Sequence, residues 1–285
     1  MNQLSVERRA AIVRALVEGG SVRAVARMTG TSKNTVLRLL VDLGDFCSIY
    51  QDHMLRGLTC KRIEADEIWS FCGAKQRNAT KEGQGDIWTF VALCADTKLA
   101  VSWLVGPRSP ASANEFMRDV ASRLANRVQI TTDGLGAYQP AVEKAFGWNG
   151  TDYAMLVKTY SNQPDGVHSR RYSPGVCTGA VKSPIMGNPD LEYVSTSYVE
   201  RSNLTMRMQS RRFTRLTNAF SKKAENHAHA VSLHFFYYNY LRPHTTLTKA
   251  NGGIKVTPAM AAGVTDHVWS VEEMLDLMNP TRLLQ

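Results

Sequence analysis

The sequence predicts an α/β protein in which a small all-α domain precedes a larger domain that mixes strands and helices. Apolar residues recur at helical spacing through the first 46 residues, as at Ile12, Val13 and Leu16. From about residue 62, runs rich in aromatic and β-branched residues dominate. Beyond these runs, strand-like and helical segments alternate, which is typical of an α/β domain.

The N-terminal region predicts three short helices. Gly19-Gly20 ends the first helix, and Ser21 can cap a second helix that ends at Thr29-Gly30. Ser32 can cap the third. The glycine between the last two helices indicates a tight turn, because glycine tolerates a positive φ.

Ala26, Gly30, Val36 and Leu39 have the spacing of a helix-turn-helix motif. A small residue lies where two helices touch, a glycine lies in the turn, and two apolar residues of the second helix face inward. The second helix would present polar side chains to phosphates and major-groove base edges. We expect DNA contacts from its first turns, at Ser32, Lys33, Asn34, Thr35 and Arg38. The alternative is a three-helix bundle that packs on the rest of the chain with a solvated polar face.

The second region predicts strands over four segments, at residues 62–71, 86–96, 99–106 and 127–134. A helix over 114–124, capped at Ser112 or Asn114, precedes the last of them. Residues 161–190 are rich in Ser, Pro, Gly and Asn without a clear period, so we expect an extended loop or insertion there. Further helices are predicted over 198–213, 220–241 and 272–278.

Charge, hydropathy and cysteine content limit the function classes. The 285 residues carry 34 Lys and Arg against 25 Asp and Glu, a net charge of +9 that favours a polyanionic partner such as nucleic acid. No signal-like start and no run of 18 apolar residues occurs, so we expect neither secretion nor a membrane partner. Five irregularly spaced cysteines without a CxxC pair disfavour a disulfide framework and a structural zinc site, and fit a reducing, intracellular compartment.

Three carboxylates have positions suited to phosphodiester chemistry: Asp66 within a predicted strand, Asp133 at the end of a later strand, and Glu200 at the start of a helix. Acidic residues are unfavoured in strands, and strand-to-turn positions often carry function. Carboxylates bind Mg²⁺, and two such ions about 3.5 to 4 Å apart activate the attacking oxygen and stabilise the leaving one. Strand alternation does not decide between Asp66 and Glu67. A chance triple among 25 acidic residues is the alternative.

A basic stripe follows Glu200. Residues 201–223 contain seven Arg and Lys residues and no acid, whereas a solvated helix usually mixes both signs. Arg207 lies two helical turns after Glu200 and shares its face. We expect this segment to follow DNA phosphates, with contacts from Arg201, Asn203, Arg207, Arg211, Arg212 and Arg215.

Four segments resemble the DDE transposases of the IS1 family of bacterial insertion sequences. They are DEIW at 66–69, TDGLGAYQPAV at 132–142, YVERSNLTMRMQSRRFTRLTNAFSKK at 198–223 and YNYLRPHTTL at 238–247. The resemblance implies that Asp66, Asp133 and Glu200 form the metal-binding catalytic triad. Arg207 is similar to the basic residue that many such enzymes place on the same helix face. The best-known members begin with a zinc ribbon, which the cysteine spacing excludes here.

The resemblance implies an RNase H-like catalytic domain with a mixed central sheet over 59–250, interrupted by an insertion at about 158–195. A helix-turn-helix domain over 1–58 would precede it, and a C-terminal extension over 251–285 would follow.

The implied activity is DNA transposition by a DDE polynucleotidyl transferase, which cleaves at element ends and transfers the 3′-hydroxyl into target DNA by transesterification. The implied cofactor is Mg²⁺ or Mn²⁺, as two ions. The implied partners are double-stranded DNA, namely terminal inverted repeats and target, and further copies of the chain that form a homo-oligomer on DNA. The expected location is the bacterial cytoplasm, at the nucleoid.

Three alternatives stay open. An RNase H-like nuclease or resolvase would cut DNA without joining it. A helix-turn-helix transcriptional regulator would use its second domain to bind a ligand or a partner. A decayed transposase copy would fold without transposing.

Overall fold

The structure is a computed structural model that describes residues 4–160, 177–215 and 217–278. The strands in these ranges are β1 (Arg62–Cys72), β2 (Gly85–Cys94), β3 (Ala100–Gly106), β4 (Gln129–Thr132), β5 (Asp152–Tyr160) and β6 (Cys177–Met186). The helices are α1 (Val6–Val17), α2 (Val22–Thr29), α3 (Lys33–Met54), α4 (Pro110–Arg123), α5 (Tyr138–Phe146), α6 (Ser197–Gln209), α7 (Ala224–Phe236), α8 (Thr245–Ala250), α9 (Pro258–Ala261) and α10 (Val271–Leu277).

The three predicted N-terminal helices are confirmed, together with their caps. Ser21 Oγ accepts the backbone N–H of Ala24, and Ser32 Oγ accepts that of Thr35. Gly30 adopts the left-handed conformation with φ 60°, as the tight turn between α2 and α3 requires. The third helix differs from the prediction in length, since α3 continues to Met54 instead of ending near residue 46.

The strands form one mixed sheet of six in the order β3-β2-β1-β4-β5-β6. The first three strands pair antiparallel, β4 and β5 run parallel to β1, and β6 returns antiparallel to β5. The predicted mixed α/β fold class is therefore confirmed at this level. The four predicted strands are β1 to β4, and β1 and β4 are neighbours although the chain between them is long.

Further sequence expectations differ from the structure. The cap of α4 is Ser109, whose Oγ accepts the N–H of Ser112, so the helix begins at Pro110 and the predicted caps Ser112 and Asn114 lie inside it. Within the segment expected to be a loop, Cys177–Met186 forms β6. This strand is almost entirely exposed at the sheet edge, which explains why it shows no apolar period. Residues 161–176 of that segment lie outside the described residues.

Helices cover both faces of the sheet. One face packs Ala65 of β1 and Phe90 of β2 against α4 and α5. On the other face, Ile68 packs with residues of α6 and α7, including Val199 and Phe235.

The N-terminal helices share the larger core, which runs from α1 through α3 and α7 to α10. Leu58, at the predicted domain boundary, is buried in that core. Along the α3–α7 contact, a Cβ added at Gly44 would overlap the Cα and Cβ of His229, so the two helices approach closely there. Among the described residues, no helix is both long and apolar enough to cross a bilayer.

Candidate active site

The site forms where β1 and β4 part. The parallel pairing of these strands ends at the pair Ala65 and Thr132. The residues that follow this pair, Asp66 and Asp133, therefore lie side by side. Glu67 joins them, and carboxylate oxygens of these three residues all lie within 4.8 Å of one another. We call Asp66, Glu67 and Asp133 the carboxylate cluster.

Asp66 and Glu67 reach the cluster from opposite faces of β1. Asp66 lies on the α6 face, where its Oδ2 accepts the Nδ2 of Asn203 at 2.9 Å. Glu67 lies on the other face, where it accepts Arg108 Nε at 2.7 Å and the Tyr138 hydroxyl at 3.0 Å. Strand alternation could not choose between the two acids, and the structure places the carboxylates of both in the cluster.

Burial and like charge act together on the cluster. Burial and, to a smaller extent, the Glu67 and Asp133 carboxylates together raise the pKa of Asp66 to about 7. The pKa of Glu67 is also raised, first by burial and then by Asp133, while Arg108 lowers it. Three convergent carboxylates in a poorly solvated place repel one another, and a hard divalent cation would relieve that repulsion. The donor set therefore fits a magnesium-type ion.

Glu200 lies on the first turn of α6 and is not one of the three carboxylates that converge in the cluster. Its carboxylate accepts the Thr196 hydroxyl at 2.6 Å and forms an ion pair with Lys158 of β5. It still lies close enough to raise the pKa of Asp66. The structure thus brings together two of the three predicted triad residues, adds Glu67, and pairs the third with a lysine.

One face of α6, which includes Asn203, packs against β1. Asn203 is buried against Asp66, while its Oδ1 has no hydrogen-bond partner among the described residues. One turn later, Arg207 donates Nη1 to the carbonyl of Phe213 at 2.9 Å. Burial lowers the pKa of Arg207, and the nearby Asp66 carboxylate opposes that shift. The shared face predicted for Glu200 and Arg207 therefore borders the cluster.

Glu64 is a site residue that the sequence reasoning missed. It precedes Asp66 by two residues, so it lies on the same face of β1. Its Oε2 accepts the backbone N–H groups of Tyr198 at 2.7 Å and Val199 at 3.0 Å, which fixes the N-terminus of α6 over the strand. Burial raises its pKa to about 7, although these two hydrogen bonds lower it. Two acids at alternate positions of one strand were the available signal.

The predicted DNA contacts of the N-terminal region lie at the start of α3. The side chains of Ser32, Lys33, Asn34 and Arg38 are exposed, and Thr35 is half-buried beneath the cap. Such an exposed first turn can approach a polyanion.

The predicted contacts after Glu200 differ in exposure. The exposed ones are Arg201, Arg211 and Arg215, and the partly buried ones are Arg207 and Arg212. Arg212 donates Nη1 to Ser221 Oγ at 3.0 Å.

Comparison with known proteins gives a structural likeness but no sequence match. No protein-family model matches the chain, and no curated protein sequence matches it. The chain is similar to a solved structure described as the Mos1 transposase paired-end complex with left transposon end, with 12% sequence identity and a TM-score of 0.21. The similarity covers 50% of this chain and 58% of that chain, so this chain spans little more than half the length of the protein that it matches.

Proposed function

We propose that this protein is a metal-dependent DNA transposase that cleaves DNA and transfers the resulting 3′-hydroxyl into target DNA. The observation that carries the proposal is the convergence of Asp66 and Asp133, two residues far apart in the chain, in one cluster of carboxylates. Membership of the IS1 family is part of the proposal and depends on the sequence resemblance described above.

The architecture supports an RNase H-like catalytic domain. A mixed sheet with three antiparallel strands and two further parallel ones carries the cluster on its central strand, β1, and on the neighbouring β4. Adjacent parallel strands that end together place their next residues at one edge, which is how α/β sheets commonly build sites.

Asp66, Asp133 and Glu67 are the residues whose oxygens would hold Mg²⁺ or Mn²⁺. When bound, such an ion activates an attacking oxygen and stabilises the leaving one. The protein's own groups prepare this place. Asn203 fixes one oxygen of Asp66, and Arg108 together with Tyr138 fixes the carboxylate of Glu67.

Glu200 would complete the ligand set if its carboxylate left Lys158 and joined the carboxylate cluster. The ion pair between Lys158 and Glu200 is partly exposed, with 24% and 45% of the two side chains accessible, so breaking it costs little free energy. A DNA phosphate is an alternative partner for the Lys158 ammonium group. Substrate binding would then release Glu200 for metal binding.

The direct test replaces Asp133 with Asn, which keeps the shape of the side chain and removes its charge. We expect the D133N variant to lose Mg²⁺-dependent strand cleavage and strand transfer on duplexes that carry the DNA from either side of the gene. Its DNA binding should stay within about twofold of wild type, because phosphate contacts are made elsewhere. The matched control is Asp42→Asn, at an exposed position of α3, which should leave both activities intact.

The products separate the competing functions. Hydrolysis products without joined products would indicate a nuclease or resolvase. DNA binding without any metal-dependent cleavage, in wild type as in the variant, would indicate a regulator. Full activity of the D133N variant would remove Asp133 from the catalytic residues.

A further inference from the structure

A second candidate site lies away from the carboxylate cluster, between the helix-turn-helix and the basic stripe. The cleft has a volume of about 720 Å³. One wall comes from α2 and the start of α3, and the other comes from the end of α6, the segment after it, and α7. A volume of this size suits a small molecule or one residue of a polymer.

The cleft is strongly cationic. The charged residues that line it are Arg23, Arg27, Lys33, Arg211, Arg212 and Lys222. Its described lining contains no carboxylate, and none of these six side chains forms an ion pair with an acid of the described residues. Cations gathered without counter-charges repel one another, so an anionic group would be stabilised here.

An anion alone leaves part of the cleft unexplained. Gln209 lines the cleft and is 7% exposed, and its Oε1 is buried without a hydrogen-bond partner among the described residues. A carbonyl oxygen needs an N–H or O–H donor, which an ionised phosphate does not offer. Apolar side chains complete the wall, among them Val22, Leu37 and Leu233. The occupant therefore needs a phosphate, a flat apolar part and an N–H donor.

We propose that the cleft binds one nucleotide, with its phosphate on the arginine and lysine side chains and its base against the apolar wall, where an N–H group donates to Gln209. An unpaired nucleotide next to bound duplex DNA and a free mononucleotide share this chemistry. The first source rests on the proposed function, because Lys33 belongs to the expected recognition helix. The second source does not.

The test is a binding measurement in EDTA, so that strand cleavage does not interfere. Fluorescence anisotropy compares a blunt duplex with the same duplex carrying one unpaired 5′-phosphorylated nucleotide. We expect wild type to bind the second duplex about fivefold more tightly, the lower range for burying one base. Gln209→Leu, which removes no charge, should abolish this preference while changing blunt-duplex binding by no more than about twofold. Lys222→Ala should also abolish the preference, and it should weaken the binding of both duplexes because Lys222 belongs to the basic stripe. The matched control is Lys249→Ala, an exposed lysine of α8 outside the cleft.

Mononucleotide titrations identify the source. Binding of dAMP that both variants weaken, without any preference for the unpaired duplex, would support the nucleotide site and assign it to a free ligand. Equal binding of both duplexes together with no dAMP binding would overturn the proposal. Inorganic phosphate that displaces labelled dAMP as well as unlabelled dAMP does would also overturn it, since the base would contribute nothing.

These outcomes are separate from those for the proposed function. A wild-type protein that joins DNA with Mg²⁺ but shows no nucleotide preference in EDTA would retain the transposase assignment and lose the cleft. A protein that binds nucleotide through Gln209 but never cleaves DNA would retain the cleft and lose the transposase assignment.

Discussion

Asp66 is the residue at which most interactions of the carboxylate cluster meet. Glu67 and Asp133 approach it as like charges, Arg207 lies near it as an opposite charge, and Asn203 donates to it. A carboxylate in such a place is poorly stabilised by the folded chain alone. We infer that its position serves ligand binding at the expense of stability.

Asn203 should act as a positioning residue for Asp66. Replacement by Ala removes the 2.9 Å hydrogen bond that fixes Asp66 Oδ2. Loss of a residue that orients a metal ligand typically lowers metal affinity or activity by about 10- to 100-fold. We expect Asn203→Ala to shift the Mg²⁺ concentration for half-maximal cleavage upward, measured under single-turnover conditions. Rescue by high Mg²⁺ is expected, and its absence would contradict a positioning role. Asn78→Ala, at an exposed site, is the control.

His234 should make the stability of the fold dependent on pH. Burial and, to a smaller extent, the Arg242 guanidinium together lower its pKa from 6.5 to about 4. At pH 7.5 the imidazole is neutral in both states. As the pH falls below 6.5, the unfolded chain takes up a proton that the folded chain cannot, so the free energy of unfolding decreases until about pH 4.

The measurement is urea unfolding of wild type and His234→Gln at pH 7.5 and pH 5. Between these values wild type should lose about 2 kcal/mol more than the variant, because the variant lacks this proton uptake. Other groups titrate in the same range, but they are common to both proteins and cancel in the difference. His53→Gln, an exposed histidine of α3, should behave like wild type. An equal loss in His234→Gln and wild type would contradict the prediction.

At the scale of elements, the sequence predicts what is buried better than what is exposed. The strands β1 to β4 are rich in aromatic and β-branched residues because they are mostly covered by helices. In β6 most side chains are exposed, so no apolar pattern marks the strand. The sequence predicts no element over residues 138–146 or 152–160, which form α5 and β5. A segment of nine residues is short for the detection of a helical or strand period.

The residues of the candidate site also differ in how far the sequence reveals them. Asp66 and Asp133 carry a sequence signal because acids rarely belong in strands or at their ends. The roles of Arg108 and Lys158 carry no local signal, since each becomes part of the site only through tertiary contact.

The contact between α3 and α7 depends on Gly44. A Cβ at this position would overlap His229, so Gly44→Ala must separate the helices or shift the histidine. We expect the substitution to lower the free energy of unfolding by about 1 to 3 kcal/mol, as overpacking of a core does. The control is Gly136→Ala, where an added Cβ has no neighbour within 4 Å among the described residues. Similar stability of the two variants in denaturant unfolding would show that the α3–α7 contact adapts.

At the scale of the whole molecule, the net charge of +9 is distributed unevenly. Lys33 and Arg38 on α3 are expected to contact phosphates, so replacing both with Ala should release fewer counterions on DNA binding. The slope of log affinity against log salt should become shallower by about 1.8, or 0.9 for each phosphate contact. Lys81→Ala with Lys249→Ala removes the same charge elsewhere and should leave the slope near that of wild type. An unchanged slope in the first double variant would refute the α3 contacts.

The length of α3 has a further consequence. Its 22 residues span about 33 Å without a break, from the exposed turn at Lys33 to Met54, which precedes the buried Leu55. Because α3 packs along α7 and shares one core with residues of the sheet, continuous packing joins this helix to the strand that carries Asp66 and Glu67. The fold therefore holds the exposed first turn of α3 at a set distance from the carboxylate cluster. If α3 binds DNA and the carboxylate cluster cuts it, as proposed, a constant number of base pairs would separate the bound sequence from the cut.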